Sequence, residues 1–158
     1  MRPRYIVVAS VGLVWLVLDQ LTKGWATATL APSGERAVID GLFSLVYVRN
    51  RGAAFGFLSN PDTNWQIWLF GAAALLVAFL IFRMLRTAPA RPLLFFALGS
   101  ILGGAVGNLT DRVLYGAVTD FLDFYWRNWH WPAFNVADIA ICLGVALAAF
   151  SLLREPAS

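Results

Sequence analysis

The residues with the clearest chemical potential are three acids in an apolar stretch. Residues 118–140 read VTDFLDFYWRNWHWPAFNVADIA and contain Asp120, Asp123 and Asp138. A carboxylate is costly to bury in such surroundings unless it is paired, hydrogen-bonded or protonated. Two carboxyl groups held close together share a proton, so that one can act as a base on water while the other acts as an acid. Asp138 with either Asp120 or Asp123 is therefore a candidate hydrolytic pair, although paired acids can equally carry protons or a cation in a transporter.

Other hydrolytic chemistries have less support in the sequence. A Ser–His–Asp arrangement would depend on His130, the only histidine, and no Gly-x-Ser-x-Gly turn is present. A Ser–Lys dyad would need Lys23, the only lysine, and no serine lies beside it in sequence. One histidine and one cysteine, Cys142, argue against a zinc site of the usual type. The sequence therefore predicts neither a metal nor a cofactor.

The composition indicates a protein that is dissolved in lipid. Hydrophobic residues make up 59% of the 158 residues and charged residues only 13%, whereas soluble domains have about 45–50% and about 25%. The net charge of +3 comes without a run of lysine or arginine, so no nucleic-acid partner is predicted.

The elements that must position the acids are four apolar runs. They cover about residues 5–28, 65–82, 93–109 and 136–153, and a membrane-spanning helix needs about 20 residues. Between the first two lies a β-rich stretch at Leu45–Val48. We expect one integral membrane domain over residues 1–158: an all-α core of four transmembrane helices, with a small β-rich loop at about 29–64 lying on the outer membrane surface. The first run resembles a cleavable signal sequence, but its polar cluster Asp19-Gln20-x-x-Lys23 favours a retained helix.

The arginines predict the orientation. Cytoplasmic loops carry an excess of basic residues, and one set of short segments does so here: Arg2, Arg4, Arg83, Arg86, Arg91 and Arg154. Both termini are then cytoplasmic, and the loops at 29–64 and 110–135 face outward. Three arginines in the first loop weaken this contrast without reversing it.

With this topology, the polar residues of the spans fall in one layer near the outer boundary of the bilayer. The layer contains Asp19, Lys23, Asn108, Asp111, Arg112, Asp120, Asp123 and Asp138. Ionisable groups inside spans are functional candidates by default. Arg112 can pair with a carboxylate or hold a substrate carbonyl, and we expect Asp111 to neutralise it.

Helix packing should be tight in the third span. Gly99, Gly103 and Gly107 recur every four residues, and small residues at this spacing let helices approach closely. Close approach would also leave backbone accessible beside Asn108.

Five sequence blocks resemble one family in order and spacing. They are Asp19-Gln20-Leu21-Thr22-Lys23, Asn50-Arg51-Gly52-Ala53-Ala54-Phe55-Gly56, residues 103–112 (GGAVGNLTDR), Val118-Thr119-Asp120-Phe121 and Phe134-Asn135-Val136-Ala137-Asp138. The chain is similar to the bacterial lipoprotein signal peptidases, also called signal peptidase II, over nearly its whole length.

This resemblance implies an aspartic endopeptidase of the bacterial inner membrane that needs no cofactor. It would cleave prolipoproteins just before a cysteine that carries diacylglycerol, near the outer leaflet. Asp120 and Asp138 match the family's catalytic acids. The residues alone leave the choice between Asp120 and Asp123 open, and the resemblance favours Asp120. The positions that match substrate-binding or supporting residues are Asp19, Lys23, Asn50, Gly52, Asn108, Arg112 and Asn135. We expect a monomer whose partners are lipid-modified prolipoproteins and membrane lipids.

Overall fold

Four helices and four strands make up the part of the chain that the structure, a computed structural model, describes: residues 3–52, 65–87 and 91–154. In chain order the elements are α1 (Pro3–Ser33), β1 (Arg36–Ile39), β2 (Phe43–Asn50), α2 (Trp65–Thr87), α3 (Pro92–Tyr115), β3 (Val118–Trp126), β4 (Trp129–His130) and α4 (Val136–Leu153). All four helices are long and apolar enough to cross a membrane. The predicted membrane core of four helices with a small β part is confirmed.

The helix ends differ from the predicted boundaries in three cases. α1 continues to Ser33, α2 to Thr87 and α3 to Tyr115, because hydropathy marks only the apolar part of a helix. α3 ends at Gly116, whose φ of 70° is left-handed and whose N–H donates to the carbonyl of Arg112; glycine adopts this conformation without steric cost. α4 begins where it was predicted, behind an Asn135 cap.

α3 occupies the centre of the helical bundle, between α1 and α4. A Cβ added at Gly103 would lie 2.5 Å from the carbonyl oxygen of Gly12 in α1. One added at Gly144 of α4 would lie 2.7 Å from the carbonyl oxygen of Ala97 in α3. Since these glycines let the backbones touch, the predicted close packing through small residues is confirmed.

A four-stranded antiparallel sheet, in the order β1-β2-β3-β4, draws on both long connections. β2 pairs with β3 so that Val48 lies opposite Asp120 and Asn50 opposite Val118. The predicted β-rich loop at 29–64 supplies β1 and β2, and β3, which follows α3, extends the sheet beyond that loop. Asp120 and Asp123 lie three residues apart, an odd spacing that interrupts the alternation by which strands are recognised.

Two apolar clusters enclose the polar layer along α1. The larger one, at the end of the bundle remote from the sheet, contains Val8, Ile81, Leu85, Leu94, Phe95 and Leu98. The smaller one joins Ala26 and Leu30 of α1 to Phe121 of β3. Asp19 and Lys23 lie between them along the helix, so the polar groups of this layer are held in a rigid, apolar frame.

Candidate active site

Asp120 is a buried carboxyl group of β3 that is held by amide side chains. It is 3% exposed. Its Oδ1 accepts a hydrogen bond from Asn135 Nδ2 at 2.7 Å, and its Oδ2 accepts one from Asn50 Nδ2 at 3.1 Å. Burial raises the pKa of Asp120 to about 6; the hydrogen bond from Asn50 opposes this rise, and the negative charge of Asp138 adds to it. Asp120 can therefore hold a proton at a higher pH than an ordinary aspartic acid.

Asp138 is the third residue of α4 and is partly buried. Its Oδ1 accepts from Asn108 Nδ2 at 2.8 Å, and its Oδ2 accepts from the backbone N–H of Asn135 at 3.1 Å. The N–H of Asp138 donates in turn to Asn135 Oδ1, which completes a capping box. The local sequence thus fixes the rotamer of Asp138 at a helix N-terminus, where a negative charge is favoured.

A chain of amides connects the two acids. Asn135 Nδ2, which donates to Asp120, also donates to Asn108 Oδ1 at 3.1 Å. Asn108 then donates to Asp138. We call the two acids Asp120 and Asp138, which Asn50, Asn108 and Asn135 hold by hydrogen bonds, the amide-bound pair. The acids and their amide partners come from four elements, β2, α3, β3 and α4, and from the α4 cap, so the arrangement exists only in the folded chain.

A second group of buried charges lies behind this pair, and we call it the ion-paired cluster. It consists of Asp19, Lys23 and Asp111. Lys23 Nζ lies 2.8 Å from Asp19 Oδ2 and 3.5 Å from Asp111 Oδ2. Gln20 Nε2 bridges the same two acids at 3.1 and 3.0 Å. Lys23 also donates to Asn108 Oδ1 at 2.9 Å, which joins the cluster to the amide-bound pair.

Arg112 forms a clamp at the end of α3. Its Nη2 donates to the carbonyl of Gly52 at 3.0 Å and its Nη1 to the carbonyl of Asn108 at 3.2 Å. Its guanidinium carbon lies 3.8 Å from the ring centre of Phe70. Its buried Nε has no hydrogen-bond partner in the described part of the chain. Asp111, expected to neutralise Arg112, instead makes its direct contacts with Gln20, Lys23 and the N–H of Thr119.

A cavity of about 750 Å³ opens beside the amide-bound pair. Its polar end is lined by Asn50, Gly52, Asn108, Arg112, Asp120 and Asp138. Its remaining walls are mainly apolar and include Ala73, Val77, Ala105, Leu109 and Ile141. Cys142 is exposed and forms part of this wall. The cavity therefore suits a ligand with one polar and one apolar part.

Asp123 is directed to other partners. Its Oδ2 lies 2.8 Å from His130 Nδ1 and accepts from Ser44 Oγ at 3.4 Å. His130 stacks on Tyr125, with ring centres 5.1 Å apart. Successive side chains of a strand point to opposite faces, so two acids three residues apart diverge. Asp123 is not among the residues that line the cavity.

The predicted site residues fall into two groups in the structure: those that line the cavity and those that hold the acids from behind. Asn50, Gly52, Asn108 and Arg112 reach the cavity beside the two acids. Asn135 is fully buried and bonded to both acids, whereas Asp19 and Lys23 lie behind them. Sequence reasoning missed Gln20 and Phe70. The position of Gln20 beside Asp19 was a usable signal, but no local pattern pointed to Phe70.

No group of three or more His, Cys, Asp or Glu side chains that could hold a metal occurs among the described residues. The polar groups that line the cavity are two carboxyl groups, amides and one guanidinium.

The fold resembles that of membrane enzymes of known structure. Two solved structures, each titled as a bacterial membrane enzyme, align with this chain at TM-scores of 0.76 and 0.78 and sequence identities of 26% and 27%. The alignments cover 93% and 94% of this chain and 87% and 94% of the other chains.

Sequence comparison defines the class further. The family model described as Signal peptidase (SPase) II matches residues 11–154. The lipoprotein signal peptidase of Nitratidesulfovibrio vulgaris (strain DP4) is 51% identical, over 97% of this chain and 93% of its own. That of Oleidesulfovibrio alaskensis (strain G20) is 52% identical, over 98% and 99%. The chain belongs to the signal peptidase II family and is a membrane-spanning peptidase.

Proposed function

We propose that this protein removes the signal peptide from diacylglyceryl-modified prolipoproteins, and that Asp120 and Asp138 hydrolyse the bond just before the lipidated cysteine. The observation that carries this proposal is the amide-bound pair at the polar end of an apolar cavity. Such a pair can activate water without a metal or a nucleophilic side chain. The acyl chains of a lipidated peptide match the apolar walls of that cavity, and its polar backbone matches the polar end.

The two acids differ in a way that suggests their roles. Burial raises the pKa of Asp120, so we assign the role of acid to Asp120 and the role of base to Asp138. Asp138 takes a proton from water as the water oxygen attacks the scissile carbonyl carbon, and Asp120 gives its proton to the carbonyl oxygen. The tetrahedral gem-diol intermediate then collapses. Asp138 gives its proton to the leaving nitrogen, Asp120 takes a proton back from one hydroxyl group, and the C–N bond breaks to release a carboxylic acid and an amine.

Arg112 and the amides hold the substrate in this proposal. Asn50, Asn108 and Asn135 keep the carboxyl groups oriented, while the guanidinium of Arg112 faces the cavity from its clamp between Gly52 and Phe70. The Nε–H of Arg112, for which the described residues provide no acceptor, is a donor suited to a substrate carbonyl.

The proposed setting is the inner membrane of a bacterium, with both termini in the cytoplasm and the sheet outside. The distribution of arginines supports this orientation. In this setting, the acyl chains of the substrate remain in the outer leaflet while the scissile bond meets the acids. The proposed partners are lipidated prolipoproteins and membrane lipids, and the proposed state is a monomer.

The test compares a diacylglyceryl-modified prolipoprotein with the same chain lacking the lipid. Purified protein in detergent micelles should cleave only the lipidated form, and mass spectrometry should place the cut just before the lipidated cysteine. Equal cleavage of both forms would contradict the proposed substrate class.

A parallel assay tests the metal-free mechanism. Activity should survive thorough chelation, because carboxyl groups and water supply the whole reaction. Loss of activity on chelation, with recovery on adding zinc or magnesium, would favour a carboxylate-bound metal instead.

A further inference from the structure

The ion-paired cluster contacts the backbone directly before each of the two acids of the amide-bound pair. Asp19 Oδ1 accepts a hydrogen bond at 2.9 Å from the N–H of Ala137, the residue before Asp138. Asp111 Oδ2 accepts one at 2.9 Å from the N–H of Thr119, the residue before Asp120. Lys23 lies between Asp19 and Asp111 and contacts both. These three residues thus connect the start of β3, which carries Asp120, to the start of α4, which carries Asp138.

The ion-paired cluster is buried and lies outside the cavity. Asp19, Lys23 and Asp111 are 0%, 3% and 1% exposed. None of them is among the residues that line the cavity, so a ligand there meets Asp120 and Asp138 but not the cluster. The cluster can therefore act on the reaction only through the groups that it holds.

We propose that Asp19, Lys23 and Asp111 are positioning residues that set the separation of Asp120 and Asp138. This inference rests on the proposed function, since it assumes that these two acids carry out hydrolysis. Asp19 holds the first turn of α4 against α1, and Asp111 holds the start of β3 against α3. The ammonium group of Lys23 contacts both carboxylates. Both backbone segments are therefore held in fixed positions relative to the same part of α1.

Gly107 offers a way to displace Asp19 without changing any polar group. A Cβ added at Gly107 would lie 2.5 Å from Asp19 Oδ2 and 3.1 Å from Asp19 Cγ. Gly107→Ala should therefore push the Asp19 carboxylate away from the N–H of Ala137. The matched control is Gly24→Ala in α1, beside Lys23, where an added Cβ meets nothing within 4 Å.

The expected result is a loss of turnover with retained substrate affinity. A displacement of about 1 Å can cost roughly 100-fold in rate, so we expect Gly107→Ala to lower kcat by about 10- to 100-fold, with KM for the lipidated prolipoprotein changed by less than about threefold. Gly24→Ala should match the parent in both constants. In an Asp19→Ala background, adding Gly107→Ala should cause little further loss, because its target is already absent.

Asp111 provides an independent variant should Gly107→Ala fail to fold. Asp111→Asn retains an oxygen that can accept from Thr119, whereas Asp111→Ala does not. We expect Asp111→Asn to recover much of the kcat that Asp111→Ala loses, at equal KM. Folding of each variant is checked by thermal unfolding and size exclusion in detergent.

The outcomes separate this inference from the proposed function. Unchanged kcat in folded Gly107→Ala and Asp111→Ala, or a loss entirely in KM, would overturn the positioning role while leaving the catalytic pair intact. Full activity in Asp120→Asn or Asp138→Asn would instead remove the proposed function on which it rests.

Discussion

The two groups of buried acids in this protein share one layer but differ in their partners. In the ion-paired cluster, Asp19 and Asp111 face the ammonium of Lys23 at 2.8 and 3.5 Å. In the amide-bound pair, Asp120 and Asp138 face neutral donors from asparagine side chains and one backbone N–H. The first group is fully enclosed, whereas the second borders the cavity.

This difference in partners explains a difference in use. A buried carboxylate beside a cation is neutralised where it stands, and breaking such a pair is costly. A carboxyl group that has only amide donors keeps an uncompensated charge or a proton, which makes it available for acid–base chemistry. The carboxyl groups with neutral donors are the ones that border the cavity, in keeping with the proposal that they react while the ion-paired cluster holds the structure.

The largest expected effect comes from replacing either acid of the amide-bound pair. Asp120→Asn and Asp138→Asn should each lower cleavage of the lipidated substrate by at least about 1,000-fold, or about 4 kcal/mol, because an amide cannot transfer the proton. The double variant should be no worse, since residues that act as a unit are non-additive.

Asp123→Asn is the matched control for this experiment. Asp123 lies in the same strand but contacts His130 and Ser44, so its variant should keep substantial activity. Activity lost in Asp123→Asn and retained in Asp120→Asn would show that the wrong acid of β3 has been assigned.

The next largest effect should be a loss of stability when the ion-paired cluster is changed. Lys23→Met leaves Asp19 and Asp111 buried without their cation, and breaking a buried pair in this way costs about 3–5 kcal/mol. The free energy of unfolding, measured by titration with a denaturing detergent, should fall by that amount. Arg36→Met, at an exposed position of β1, should change it by less than about 0.5 kcal/mol. Equal stabilities of these two variants would contradict the structural role of the ion-paired cluster.

The sequence predicted one of these groups better than the other. Hydropathy located all four helices, and topology placed the polar residues in one layer. The pairing of Lys23 with Asp111 had no local signal, because the two residues lie on different helices and meet only through the close packing of α1 and α3. Asp111 was accordingly assigned to its neighbour Arg112.

Strand geometry explains what the sequence left open at the candidate site. The residues alone could not choose between Asp120 and Asp123, and the resemblance to a family supplied the choice. The structure gives a physical reason for the divergence of the two acids: β3 directs them to different partners. The strand was missed because its two acids break the expected alternation, and its pairing partner β2 lies about 70 residues earlier, as in the bond between Asn50 and Asp120.

A smaller effect should result from changing the clamp at the polar end of the cavity. Arg112→Lys retains the charge but loses the planar group that stacks on Phe70 and donates to Gly52. We expect kcat/KM to fall by the equivalent of about 1–3 kcal/mol, the range for a hydrogen bond to a charged group. Arg127→Lys, in an exposed turn, is the control and should match the parent. Parent-like kinetics in folded Arg112→Lys would restrict Arg112 to a structural role.

The smallest effect should appear in the pH dependence of the amide-bound pair. The reaction as proposed needs Asp120 protonated, so kcat should fall as pH rises through its pKa, which lies at about 6 in the free protein. Asn50 donates to the carboxylate form of Asp120 and so lowers that pKa.

Asn50→Leu keeps the side-chain volume but removes the donor. The pKa of Asp120 should then rise by up to about one unit, or about 1.4 kcal/mol, and the alkaline limb of the kcat profile should move to higher pH by the same amount. Asn128→Leu, in an exposed turn, should leave the limb in place. An acid limb that moved to higher pH in Asn50→Leu, with the alkaline limb left in place, would mean that Asp120 acts as the carboxylate, and the roles of the two acids would be exchanged.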